Sequence, residues 1–140
     1  MGRLKGCPRI GRRGSALLVF AALDAVYGIR LATVDPGTQE FYDWLAETLP
    51  MWVSALVWLA IGACCLLYAF LPTDRPAFSA AIGIKVLWGT LYLGGWLIGD
   101  VTDGWVSTAI WLAFACCVGL IASWPEPVSG KGDAWTPPSQ

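Results

Sequence analysis

The chain has 140 residues, of which 56% are hydrophobic and 14% are charged, and its formal net charge is -1. A soluble domain carries about 25% charged residues, so this composition excludes an ordinary water-solvated surface. The chain has 9 Trp but no His, which removes the commonest metal ligand and neutral-pH general base. We predict an all-α integral membrane protein that is not an enzyme and holds no metal or cofactor. Its main partner is then the lipid bilayer, with no nucleic acid.

The two ends of the chain differ from its apolar centre. Residues 1–14 form a basic leader, which we assign to the cytoplasm, and residues 126–140 form a Pro-, Gly- and Ser-rich tail. We predict that this tail is disordered and also cytoplasmic. The leader and residues 16–23 are similar to a signal peptide, but Asp24 cuts that apolar run short, so we favour an uncleaved first helix.

Four apolar segments are long enough to cross the roughly 30 Å hydrocarbon core of a bilayer at ~1.5 Å per residue. Pro72 and Pro125 close the second and the fourth of these segments. We predict membrane-spanning helices at residues 15–32, 51–71, 77–98 and 105–124. The first two form one helical hairpin, residues 15–72, and the last two form another, residues 73–125.

The longest connection is an acidic loop at residues 33–50, between the first two helices. Asp35-Pro36-Gly37 predicts a turn, after which Thr38 is a candidate cap for a short helix that ends at Leu49. Aromatic and leucine side chains would share one face of this helix and acidic side chains the other. That pattern is typical of a helix in the membrane interface. An irregular loop with scattered aromatic residues is the alternative.

The distribution of Lys and Arg predicts the orientation of the helices. If the N-terminus is cytoplasmic, the inside segments hold seven of the nine basic residues and the outside loops hold none. The outside loops carry acidic residues instead: Asp35, Glu40, Asp43, Glu47, Asp100 and Asp103. Because basic residues concentrate in cytoplasmic loops, we predict both termini on the cytoplasmic side of a bacterial inner membrane.

The second and fourth helices repeat one another. Residues 52–72 and 105–125 match at ten of 21 positions with a fixed offset of 53, including Trp-Val-Ser and Trp-Leu-Ala in both. The first and third helices match more weakly at an offset of 61, which aligns Asp24–Gly28 with Lys85–Gly89. This self-similarity predicts a duplicated hairpin, with two parallel repeats about an axis along the membrane normal. Convergence of two Trp-rich helices is the alternative.

Asp24 and Lys85 are the main candidate functional residues, because each is a charge predicted to lie about 13 Å deep in the bilayer. A lone charge at the centre of a spanning helix costs at least ~2.5–3.5 kcal/mol on insertion scales. Their equivalent positions in the repeat predict an intramembrane ion pair across the bundle. The alternatives are a proton- or ion-coupled site, or a pair that lines a pore or an oligomer contact.

Other residues are predicted to anchor the helices at the membrane interfaces. Arg30 lies near the outer end of the first helix and can extend toward an outer-loop carboxylate: Asp35, Asp100 or Asp103. Three tryptophans belong to the interfacial aromatic belts: Trp52, Trp105 and Trp124. Trp58 and Trp111 lie about 9 Å deeper, so we expect them to pack between helices.

The vicinal pairs Cys64-Cys65 and Cys116-Cys117 invite comparison with membrane thiol oxidoreductases. Those enzymes need a Cys-x-x-Cys pair, whereas these cysteines are adjacent, so we interpret them as small packing residues. Close approach of helices is also predicted at small residues: Gly95, Gly99, Ala109, Ala113 and Cys117.

The second half of the chain resembles a group of small membrane proteins encoded by actinobacterial phages. The likeness lies in Asp74-Arg75-Pro76, Lys85-Val86-Leu87-Trp88-Gly89 and Trp124-Pro125-Glu126, and in the high Ala, Gly and Trp content. It covers roughly residues 15–126. Genes of that group often lie near the lysis functions, so the resemblance implies a holin or holin-like protein. It transfers no functional residue.

Three classes of function fit these residues. A holin-like protein would permeabilise the host cytoplasmic membrane as a homo-oligomer, with an endolysin as a functional partner that it need not contact. A small proton-coupled exporter using Asp24 is the main alternative, and a structural or regulatory membrane protein is the third. We favour the first class, because Asp24 has a basic partner available in the same chain.

Overall fold

A computed structural model describes residues 11–99 and 101–125 of the chain. The tail and most of the leader lie outside the described residues, as does Asp100. The described part is all-helical, as predicted, and contains five α-helices: α1 (Arg12–Thr33), α2 (Glu40–Thr48), α3 (Met51–Tyr68), α4 (Arg75–Ile98) and α5 (Gly104–Ala122). Four of them, α1, α3, α4 and α5, are long and apolar enough to cross a membrane.

Local chemistry sets the helix ends. α1 begins at Arg12, three residues earlier than predicted, and the Ser15 amide donates its first hydrogen bond to the Gly11 carbonyl. α3 ends at Tyr68, three residues early, because the chain tightens there into i→i+3 hydrogen bonds ahead of Pro72. α4 starts two residues earlier than predicted, since the fixed φ of Pro76 suits the first turn of a helix.

The helix predicted in the acidic loop is present as α2, but Thr38 is not its cap. Gln39 occupies the cap position, and Thr38 lies in a 3₁₀ turn, Pro36–Thr38, where its hydroxyl donates to the Asp35 carbonyl at 2.8 Å. α2 rests on the end of α4, where the indole of Trp44 lies against Gly94, Gly95 and Gly99. We call this the α2 end of the bundle, and the opposite one the Arg13 end.

The four long helices form two close pairs, α1 with α3 and α4 with α5. Glycines allow the close approach in both. A Cβ built on Gly28 of α1 would lie 2.8 Å from Leu59 of α3, and one on Gly89 of α4 would lie 3.5 Å from Leu112 of α5. Thr108 of α5 also donates to the Gly89 carbonyl at 3.1 Å. Each pair is thus a tightly packed helical hairpin.

Two buried clusters fill the bundle. The Arg13-end cluster is apolar: Leu17, Phe20, Ala21, Cys65, Ala69, Ala77, Phe78, Ala81 and Val118. The α2-end cluster is rich in aromatic residues and includes Phe41, Tyr42, Trp58, Trp88 and Val101, with Tyr27, Tyr92 and Trp111 packed against it. The middle of the bundle, where the two clusters meet, holds the candidate site.

Candidate functional site

The structure brings Asp24 and Lys85 together in the middle of the bundle. Lys85 Nζ donates a hydrogen bond to Asp24 Oδ1, and the two side chains are 0% and 1% exposed. Asp24 lies in α1 and Lys85 in α4, which run in the same direction and belong to different hairpins. The pair therefore joins the two hairpins in the buried interior of the bundle.

Gly62 of α3 positions the carboxylate side of this pair. A Cβ built on Gly62 would lie 3.1 Å from the Ala21 carbonyl oxygen and 3.4 Å from Asp24 Cβ. α3 therefore closes directly on the turn of α1 that carries Asp24. A larger residue would push the helices apart, because the nearest groups are backbone atoms rather than flexible side-chain ends.

Aromatic rings enclose the ammonium side. Lys85 Nζ lies 5.0 Å from the ring centroid of Trp58 and 5.3 Å from that of Phe114. Both distances fall within the range of cation–π attraction, which is strongest where water is excluded. Ring faces are weak acceptors, however, and the one hydrogen bond described for Lys85 is the bond to Asp24.

The rings around the pair form a continuous set of contacts, which we call the aromatic cluster: Tyr27, Phe41, Trp58, Trp88, Tyr92 and Trp111. Trp88 Nε1 donates to the Tyr27 hydroxyl at 2.7 Å, again linking α4 to α1. Trp58 is fully enclosed and Trp111 is half-buried; both pack against Tyr27, between helices. Aromatic packing and one charge pair thus occupy the same layer.

Three polar atoms in this region have no hydrogen-bond partner among the described residues: Asp24 Oδ2, Ser54 Oγ and Trp58 Nε1. Each belongs to a side chain of a residue no more than 2% exposed. A buried polar atom without a partner is costly, and in a hydrocarbon surround the cost reaches several kcal/mol by general estimates. The ion pair therefore satisfies Asp24 only in part.

A second ion pair joins the same two helices at the Arg13 end. Arg13 Nη2 lies 2.8 Å from Asp74 Oδ1, with both side chains mostly buried. The sequence analysis did not anticipate this pair or the Tyr27–Trp88 hydrogen bond. The signal was available, because the three polar contacts described between α1 and either α4 or its N-cap residue, Asp74, join residues 61 positions apart, the offset of the weaker repeat.

The predicted anchors lie on the exterior of the bundle. Arg30 is exposed, and among the described residues no ion pair joins it to Asp35 or Asp103; Asp100 lies outside the described residues. Each belt tryptophan is more than half exposed: Trp52, Trp105 and Trp124. That exposure suits contact with lipid headgroups.

The packing interpretation holds for Cys65 and for the half-buried Cys64, which packs against the same cluster. Cys65 is fully buried in the Arg13-end cluster, but Cys116 and Cys117 are exposed, because α5 packs on α4 through its other face. Gly95 and Gly99 receive the Trp44 ring rather than a neighbouring spanning helix. Ala109 and Ala113 are exposed on the same side of α5 as Cys117.

Within residues 11–99 and 101–125, no group of three His, Cys, Asp or Glu side chains is arranged to hold a metal ion. No family model, curated protein or solved structure matches this chain. The site therefore rests on its own chemistry: a buried ion pair, an aromatic enclosure and three polar atoms without partners.

Proposed function

We propose that the chain is a duplicated, two-hairpin membrane protein with both termini in the cytoplasm of a bacterial host, and that it acts by holin-like self-association in the cytoplasmic membrane. A different observation supports each of the three parts of this proposal: the architecture, the orientation and the activity.

The duplication is supported by which residues touch. Arg13–Asp74, Asp24–Lys85 and Tyr27–Trp88 each join a residue to its equivalent 61 positions later. Residues that contact their own equivalents lie beside a symmetry axis, here between the parallel helices α1 and α4. Within each hairpin, Gly28 meets Leu59 and Gly89 meets Leu112, which are equivalent contacts under the two offsets.

The orientation is supported by the charges at the two ends of the bundle. Arg12, Arg13 and Arg75 lie at the Arg13 end, whereas the described residues of the opposite end include one basic residue, Arg30, and five acidic ones: Asp35, Glu40, Asp43, Glu47 and Asp103. The positive-inside rule then places the Arg13 end in the cytoplasm.

The functional proposal rests on one observation: the two buried charges are paired with each other, and the outward faces of the bundle are apolar. Asp24 and Lys85 form a closed pair, while large hydrophobic side chains on every long helix are more than half exposed, among them Val26, Leu67, Ile98 and Ile110. The exporter alternative draws no support from this pair, because the Asp24 carboxylate already holds a cation.

The face of α5 that carries Ala109, Ala113 and Cys117 suits contact with a second copy. Small residues four apart let helices approach closely in lipid, and all three are exposed. The equivalent face of α3 has a bulky, exposed Leu56 where α5 has Ala109. The two hairpins therefore differ on the surface that we assign to self-association.

The test is induced expression in a bacterial host together with a cytoplasmic endolysin. We expect an abrupt collapse of the membrane potential, followed by lysis, and we expect Ala113→Leu to delay or abolish both by blocking helix approach. Ala60→Leu, at the equivalent exposed position of α3, is the matched control and should behave like the parent. Continued growth with an intact potential after induction of the parent would refute the holin-like activity.

A further inference from the structure

The three residues with these unpartnered polar atoms belong to one line of positions along α3 and the turn of α1 packed against it. Ser54 and Trp58 are four residues apart on α3, and Gly62, four residues further, is where Asp24 packs. Residues at i, i+4 and i+8 share one face of a helix and rise ~6 Å per step. The line therefore starts near the α2 end, where α3 begins at Met51, and descends to the ion pair.

Successive residues on this line are ~6 Å apart along the helix axis, which is short enough for bound water to connect their side chains. The atoms also have the right chemistry. Trp58 Nε1 can only donate, Asp24 Oδ2 accepts, and a serine hydroxyl does both. Buried waters are found where two or more otherwise unsatisfied polar groups can hold them.

The opposite side of the ion pair offers no such line. The Arg13-end cluster, with Leu17, Phe20, Phe78 and Val118, surrounds the bundle axis with apolar side chains. The α2-end cluster instead contains three tyrosines, Tyr42 in its core with Tyr27 and Tyr92 packed against it. Among the described residues, and apart from the Arg13–Asp74 pair at the far end of the bundle, polar side chains thus line the approach to Asp24 from the α2 end.

We propose that Ser54, Trp58 and Asp24 form a one-sided water path that opens at the α2 end and stops at the Asp24–Lys85 pair. Its ligand is water, which reaches the pair from the α2 side and not from the Arg13 side. This goes beyond self-association and does not depend on it.

The first test uses the full-length protein in lipid nanodiscs, with ¹⁵N-labelled tryptophan. The Trp58 indole N–H should show a cross-peak to water and rapid hydrogen exchange, whereas that of Trp88, which donates to Tyr27, should exchange slowly. Trp58→Phe assigns the signal while keeping an aromatic ring. A Trp58 indole that is dry and exchanges as slowly as Trp88 would overturn the proposal.

Ser54→Ala supplies the second arm. It should slow exchange of the Trp58 indole about tenfold, equivalent to losing one hydrogen bond of ~1.4 kcal/mol from the path. Ser107→Ala is the matched control, because Ser107 is the repeat equivalent of Ser54. Ser107 is half-buried, and its hydroxyl is not among the buried atoms without a hydrogen-bond partner. Equal effects of the two substitutions would contradict the assignment of Ser54.

Sidedness is tested in a variant whose native cysteines are replaced by alanine. Ser54→Cys should react with a small water-borne methanethiosulfonate from the same side as Gly37→Cys, which lies in the exposed turn before α2. Phe20→Cys, in the Arg13-end cluster, should react from neither side. Reaction of Phe20→Cys from the opposite side would replace the one-sided path by a through-path, and an inert Ser54→Cys would refute it.

Discussion

At the scale of single residues, the first expected role of the Asp24–Lys85 pair is to stabilise the fold. Breaking a buried pair by removing one partner costs about 3–5 kcal/mol, because the other charge is left uncompensated. We therefore expect Asp24→Lys and Lys85→Asp each to lower the free energy of unfolding in detergent by an amount of that order. The double swap should restore most of the loss, since it re-creates the pair at the same positions.

A neutral double variant separates the charge from the packing. Asp24→Leu with Lys85→Met replaces the pair by apolar side chains, a change that is often neutral or stabilising for buried pairs.

If the two charge reversals instead lose stability additively, and the double swap is worse than either one, Asp24 and Lys85 do not depend on one another.

At the level of single residues, the sequence indicated a contact where the free-energy cost of an unpaired charge required a partner. Two opposite charges at equal depth in a bilayer have few ways to avoid a large penalty, so the sequence was enough to pair Asp24 with Lys85. Arg13–Asp74 lies near the end of the bundle, where water can solvate a charge and no such penalty directs attention to it. Ser54 and Trp58 gave no signal, because whether a polar atom finds a partner depends on side-chain orientations that spacing alone does not determine.

At the scale of elements, the attachment of α2 depends on glycine. A Cβ on Gly99 would lie 2.3 Å from Trp44 Cδ1, whereas a Cβ on Gly94 would meet Trp44 Cη2 at an ordinary 3.6 Å. We expect Gly99→Ala to displace the indole and loosen α2 at the cost of an overpacked site, about 1–3 kcal/mol. Faster cleavage after Glu47 by a Glu-specific protease would report the loosening.

Gly94→Ala is the matched control for that substitution, because it adds the same methyl group to the same helix. It should leave the rate of cleavage after Glu47 at the parent value. Equal protection in both variants would show that Trp44 does not hold α2 in place.

Glu40 makes the docking of α2 sensitive to acid. The Thr102 backbone N–H and hydroxyl donate to Glu40 Oε2 at 3.0 and 2.9 Å, and these bonds hold the pKa of Glu40 below its ordinary value of 4.5. A lowered folded-state pKa adds stability above the ordinary value, and this is lost as the pH falls through the folded-state pKa. The Thr102 amide resonance should therefore titrate below pH 4.5.

The control is Glu40→Gln, which should flatten the pH response of the Thr102 amide. Glu47→Gln, on the same helix but without a hydrogen bond to Thr102 among the described contacts, should leave that response unchanged. A Thr102 titration that persists in Glu40→Gln would assign the effect to another group.

The elements themselves were predictable to within a few residues, and the misses have local causes. Hydrophobic length fixed the four long helices, but their ends depend on hydrogen bonding and proline geometry that hydropathy does not register, as at Tyr68 and Arg75. The wrong cap at Thr38 is similar. Its hydroxyl donates to the nearby Asp35 carbonyl, and the cap lies one residue later, at Gln39.

At the scale of the whole molecule, the proposed duplication makes the two hairpins unlike halves of one frame. Each of the three described polar contacts between α1 and α4 joins different side chains at equivalent positions. Two copies of the first hairpin would instead oppose Asp24 with Asp24 and Arg13 with Arg13. Like charges in a low-dielectric environment repel strongly. Each hairpin is therefore expected to pair more favourably with the other hairpin than with a second copy of itself.

This preference predicts that residues 1–72 and 73–140, expressed as separate chains, co-purify from membranes as a one-to-one complex. Asp24→Lys in the first fragment should reduce the yield sharply, because it opposes two cations at the centre of the bundle, and Lys85→Asp in the second should restore it. Fragments that each recover mainly as homodimers, or a yield indifferent to the swap, would mean that the apolar surfaces alone choose the partner. Restoration by the swap would show that the pairing of the two hairpins depends on the residues that differ between the two repeats.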